Sequence, residues 1–147
     1  MMLNSFGLSF LLVSGERFVP QNIDGVSYHH LVDKITKSPF DVREYVGLEL
    51  ENRLQVLLIS DSKTKKSGAA LTVSTGSQDN PKEIPGMANL CLHMIGRGSE
   101  KYPEPYAYNQ FMGINGGSTS SEITYDHSTI SFEVGNWALD GGLYILS

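Results

Sequence analysis

Cysteine is nearly absent from this chain. Cys91 is the one thiol among 147 residues, so no internal disulfide framework can staple the fold, and an apolar core has to hold it. An excess of positive charge is missing too. Eleven Lys and Arg stand against 16 Asp and Glu, a formal net charge of -5, and the pI is near 5.3, which argues against a nucleic-acid partner. The one basic cluster, Lys63, Lys65 and Lys66, reads as a solvated loop between strands. Also lacking is any apolar run of the roughly 20 residues that a membrane-spanning helix needs. The run Phe6 to Val13, followed by Ser14 and Gly15, has the look of a signal-peptide core, although no Lys or Arg precedes it. Residues 1–32 are therefore expected to be a leader, either a signal segment or poorly ordered, and residues 33–147 a single domain. Without a working signal the chain reads as cytoplasmic.

What is present is an ordinary globular composition, 40% hydrophobic and 18% charged, enough to bury one core. Residues 16–42 mix polar residues with Pro20, Gly25 and Pro39 and read as irregular, with one short helical turn near Tyr28 to Ile35. The neighbouring His29 and His30 cannot share a helix face and would point to opposite sides of a strand, which disfavours a metal role. From Glu44 onward two apolar runs separated by Glu51-Asn52-Arg53 predict a hairpin. Its second strand, Leu54 to Ile59, is apolar enough to be an inner strand covered on both faces. A third strand is expected over 68–75. A helix follows over Pro85 to Ile95, ended by Gly96 and Gly98, and its apolar residues cover so much of the circumference that it reads as largely buried. Cys91 lies two positions from His93, on another helix face, and is expected to be a small buried hydrophobe. A second helix over Pro105 to Met112 carries aromatics read as core. The runs 118–125 and 128–134 predict a second antiparallel pair, and Trp137 to Asp140 a last segment before Gly141-Gly142.

The helix beginning near Gly86 carries the chemistry. In the inverted zinc motif H-x-x-E-H, two His at i and i+4 share a helix face and hold the metal, and the intervening Glu activates the metal-bound water. Here the frame is Asn89-Leu90-Cys91-Leu92-His93. Around it stand Arg43-Glu44-Tyr45-Val46-Gly47-Leu48 and the hairpin to Asp61, then Val73-Ser74-Thr75-Gly76-Ser77 and Ile84-Pro85-Gly86-Met87-Ala88. Lys101-Tyr102-Pro103, Tyr108-Asn109-Gln110-Phe111 and Asn115-Gly116-Gly117-Ser118-Thr119 follow in order. This ordered series, over about residues 33 to 140, resembles the insulinase (pitrilysin-type) zinc metallopeptidases.

The resemblance implies an α+β domain, a mixed and mostly antiparallel sheet packed on helices. It also implies a zinc site that this chain departs from. Asn89 takes the first ligand position, and its amide is a poor zinc ligand beside a neutral imidazole. Leu92 takes the general-base position and cannot accept a proton. His93 is the retained second ligand. The family's third ligand, a Glu on a later helix, falls several dozen residues beyond Ser147. Zinc belongs to the family, then, and no cofactor is expected for this chain. In the family an extended substrate lies along a sheet edge. The usual Asn-Ala-x-Thr there reads Ser120-Ser121-Glu122-Ile123, with Thr124 one place on, so Ser120, Glu122 and Thr124 are the candidate peptide-binding residues. His127 matches a family position with a structural or substrate-side role. The expected function is that of an inactive insulinase-like homologue binding a peptide or another insulinase-like subunit, with self-association through exposed apolar surface as a further expectation. The alternative is a zinc metalloendopeptidase completed by residues or a chain from elsewhere. A plain α+β interaction domain is the third reading.

Overall fold

The computed structural model describes residues 8–14, 28–32, 36–50, 52–98, 100 and 102–146. Among these, β1 (Leu8–Ser14), β2 (Tyr28–Val32), β3 (Glu44–Leu50), β4 (Gln55–Ser60), β5 (Lys66–Val73), β6 (Ser118–Ile123) and β7 (Ser128–Gly135) form one sheet. Its strand order is β2-β3-β4-β1-β5-β7-β6. Neighbours are antiparallel except β1 and β4, which run parallel. Three helices, α1 (Met87–Met94), α2 (Ala107–Ile114) and α3 (Leu139–Leu146), complete an α+β fold.

Side-chain alternation decides which face of the sheet is covered. Across β5 and β7, Ala69 lies opposite Phe132 and Ser67 opposite Val134, and these residues face the helices. The buried cluster there is Ala69, Tyr108, Met112, Phe132, Val134, Ala138 and Leu139, with Tyr108 and Phe132 edge-on at 6.4 Å between centroids. On the other face the residues are small and polar, and the hydroxyls of Thr72 and Thr129 meet at 2.9 Å across the strands. Ser67 is buried because its hydroxyl bonds to Asn136 Oδ1 at 2.8 Å, while Asn136 Nδ2 donates to the Thr64 carbonyl at 2.9 Å.

The hairpin of β3 and β4 turns at Asn52 and Arg53. Leu54 N–H bonds to Asn52 Oδ1 at 3.0 Å, and Arg53 takes a left-handed φ of 66° that closes the turn. β4 is an inner strand as expected, but only Val56 in it is buried, since the helices pack on β5, β6 and β7 instead. The stretch 1–32 supplies two strands of the sheet. Leu8–Ser14 pairs with β4 on one side and β5 on the other, and Tyr28–Val32 is a strand on β3 where a helical turn was expected. The rest of that stretch lies outside the described residues. β-Sheet pairing explains both: an apolar run gains ladder hydrogen bonds on two sides there, and a short periodic signal is overridden.

The end of the chain also differs from expectation. Residues 136–138 form a 3₁₀ turn, and α3 continues straight through Gly141 and Gly142. Glycine is disfavoured inside helices, but here close approach demands it. A Cβ on Gly141 would stand 2.5 Å from the Phe111 ring, and one on Gly142 2.8 Å from the Phe132 ring.

Candidate functional site

Helix α1 begins at Gly86, whose φ of 93° only glycine adopts easily, and no side chain of its own caps it. Asn80, from the preceding loop, does that instead, its Oδ1 accepting the Ala88 N–H at 2.8 Å. The short helix then lies over β6 and β7 with one face only. Leu92 alone is buried, at 6% exposure, whereas Leu90 is 61% and Met94 60% exposed. The helix is therefore not largely buried as its sequence suggested. Cys91, expected inside, is exposed. An eight-residue helix on a sheet edge buries about one residue per turn, whatever the hydrophobicity of the remainder.

Of the three positions of the zinc-like frame, Asn89 and His93, four residues apart, are both exposed, and His93 also borders the cavity at the end of the helix. Leu92 points inward and lines, with Ile130 of β7, the floor of a cavity of about 150 Å³ between the C-terminal end of α1, α2 and β6. Among the described residues no three His, Cys, Asp or Glu come together in a way that would hold a metal ion. One imidazole, one amide and one isobutyl group do not fit zinc, which takes three protein ligands and a water in catalytic sites.

Among the described residues β6 is one edge of the sheet, with β2 the other; it is bonded to β7 on one side and residues 118–122 are exposed. The candidate peptide-binding residues do not come together. Ser120 and Glu122 pair with Ser131 and Thr129 and so belong to the face away from the helices. Thr119 and Ser121, opposite Phe132 and Ile130, are the residues on the helix side and line the cavity, which Ser120 between them also borders. Strand parity was the signal for this, but it cannot say which face is which without the helices.

Thr124 lies in the turn after β6, where its own hydrogen bonds occupy it. Its hydroxyl meets His127 Nδ1 at 2.8 Å and Asp126 Oδ1 at 3.0 Å, and its N–H donates to the His127 carbonyl at 2.9 Å. Asp126 also contacts His127 Nδ1 at 2.8 Å. The hydrogen bonds from His127 and Thr124 hold the Asp126 carboxyl below the usual carboxylate range. Ser77 and Gln78 donate to the carbonyls of Thr124 and Tyr125, tying this turn to the loop before α1. His127 thus has a structural place.

Two residues of the cavity escaped the sequence reading. Tyr108, read only as core, is 4% exposed, and its hydroxyl is buried with no hydrogen-bond partner among the described residues. Burial pushes its ionisation well above the ordinary tyrosine value. Arg97, in the turn after α1, carries a charge at the cavity and stands 5.8 Å from the Tyr106 ring centroid.

The model of the family described as Insulinase (Peptidase family M16) matches residues 55–147, more than half of the chain. The chain belongs to the insulinase family. Mouse insulin-degrading enzyme is 46% identical over 111 residues, which are 76% of this chain and 11% of that protein. A putative zinc protease of Caenorhabditis elegans is 43% identical over 115 residues, 78% of this chain and 13% of that protein. The crystal structure of pitrilysin superposes with a TM-score of 0.77 at 34% identity, covering 81% of this chain and 13% of that one. A protease from Helicobacter pylori, at 19% identity and a TM-score of 0.61 over 71% of this chain and 24% of that one, shares the fold. This insulinase-family chain therefore spans about a tenth of the length of the curated relatives it matches, and the reading as an unrelated α+β domain is set aside.

Proposed function

We propose that this chain is a catalytically silent insulinase-family domain that binds an extended peptide along β6, with a partner subunit of the same family as the other occupant of that surface. The observation that carries the reading is Leu92. It stands at the general-base position of the family motif and is packed against the sheet, where it offers no proton acceptor. Loss of a general base removes roughly a hundred- to ten-thousand-fold of rate, and one imidazole cannot retain zinc at ordinary concentrations. Peptide binding is supported by the exposed edge of β6, whose unpaired N–H and C=O groups offer a ladder to an incoming strand. The exposed Leu90, Met94 and Ile95 beside it favour a partner or self-association.

The competing reading, a zinc metalloendopeptidase completed from elsewhere, is favoured by the exposure of His93, which leaves its imidazole open to another chain's metal ligands. A second chain cannot replace Leu92. Zinc stoichiometry on protein purified without chelators, with His93→Ala as control, decides between them. We expect well under a tenth of an equivalent in both proteins. A full equivalent that disappears with His93→Ala would sink the silent-domain reading.

A further inference from the structure

The cavity beside β6 is better built than a bare sheet edge requires. Its lining carries one fixed charge, the Arg97 guanidinium, together with the Asn109 amide, the His93 imidazole and Thr119, Ser120 and Ser121 of β6, all of which can donate to an anion. Guanidinium stays charged at any ordinary pH, and among the described residues Arg97 makes no ion pair, resting only near the Tyr106 ring. Among the described residues no Asp or Glu lines the cavity, and Glu122, the carboxylate of β6, belongs by alternation to the opposite face. Gly96 opens the space further. It has φ 79°, and a Cβ there would come 3.2 Å from the Tyr108 ring.

We infer that this cavity is a specificity pocket for a carboxylate carried by the peptide bound at β6. The inference rests on the strand-addition reading above. A strand laid on β6 directs every second side chain to the helix side, beside Thr119 and Ser121 and over the cavity. A volume of about 150 Å³ is of the size that takes a benzene ring in an engineered protein cavity, so an Asp or Glu side chain fits. There the carboxylate meets Arg97 as a charge-assisted pair, with the Asn109 amide and the β6 hydroxyls as further donors. A Lys side chain would meet Arg97 as a like charge, and a Gln would bring an amide in place of the charge that guanidinium prefers. The carboxylate has two possible sources, an acidic side chain or the peptide's own C-terminus.

The test uses the full chain and fluorescein-labelled ten-residue Thr/Val peptides with a central Glu, Gln or Lys, each with a free or an amidated C-terminus, followed by fluorescence anisotropy. We expect the amidated Glu peptide to bind about tenfold more tightly than its Gln counterpart, and the Lys peptide more weakly than either. Arg97→Gln should bring the Glu-to-Gln ratio to within about twofold and leave Gln-peptide affinity unchanged, with Arg97→Lys in between. If only the free C-terminus confers the preference, on the Gln peptide as well, the pocket takes a chain end. Equal binding of all peptides to the wild type overturns the pocket but leaves strand addition standing. Binding of none overturns both.

Discussion

Tyr108 combines two opposed effects in one side chain. Its ring packs edge-on against Phe132 in the core, but its hydroxyl is buried with no partner among the described residues, which costs about 1–3 kcal/mol. Tyr108→Phe keeps the ring and removes the orphan, so we expect it to stabilise the protein by about 1 kcal/mol in urea unfolding; a loss of stability would show that the hydroxyl has a partner. Asp41 sits at the other extreme. Its carboxylate takes the Arg43 guanidinium at 2.8 and 2.7 Å and the Tyr45 hydroxyl at 2.8 Å, and the hydrogen bonds from Arg43, then from Tyr45, hold its ionisation well below the ordinary carboxylate value. A depressed folded-state value means stability that is complete above the unfolded value of about 3.9 and is lost as the pH falls below it. Wild type should therefore exceed Asp41→Asn in urea resistance at pH 6, and the gap should narrow at pH 2. A gap of constant size would mean that Asp41 contributes through packing alone.

At the scale of elements, α1 and α3 show how far composition misleads. The frame Asn89 to His93 was legible as a motif, and so was a helix ending at Gly96, but apolar residues all round it suggested burial. Burial depends on what lies opposite, and α1 has a sheet on one side only, so Leu92 goes in while Leu90, Cys91 and Met94 stay out. In α3 the error runs the other way. Gly141-Gly142 reads as a helix stop by propensity, yet the helix passes through because those two positions lie against the rings of Phe111 and Phe132. Packing outweighs the roughly 1 kcal/mol of helix propensity that each glycine costs. Gly142→Ala should then destabilise by about 1–3 kcal/mol through overpacking, although alanine is the better helix former. A rise in melting temperature would show that the core can yield.

At the scale of the molecule, the sheet was legible in outline. The β3–β4 hairpin, the β6–β7 pair and the α+β class all follow from alternating apolar runs and the turns between them, because those patterns are local and each turn sets its own register. The resemblance to the insulinase family rested on residues in order, and the family match bears it out. Long-range pairing was beyond such reasoning. Nothing in Leu8–Ser14 names β4 and β5 as its neighbours, and an apolar run serves equally as a signal core or a central strand until its hydrogen-bonding partners are known. The same limit hid the cavity. Arg97, Tyr108, Thr119 and Ser121 come from a turn, a helix and a strand, and they meet because α1 and α2 lie on the same face of β6. Sequence alone determined the β3–β4 and β6–β7 pairs, the first two helices, the family and the substitutions at Asn89 and Leu92, since each is written in adjacent residues. The tertiary structure decided which faces are covered, which strands lie at the edges and which polar groups surround one empty space, because these depend on contacts between segments far apart in the chain.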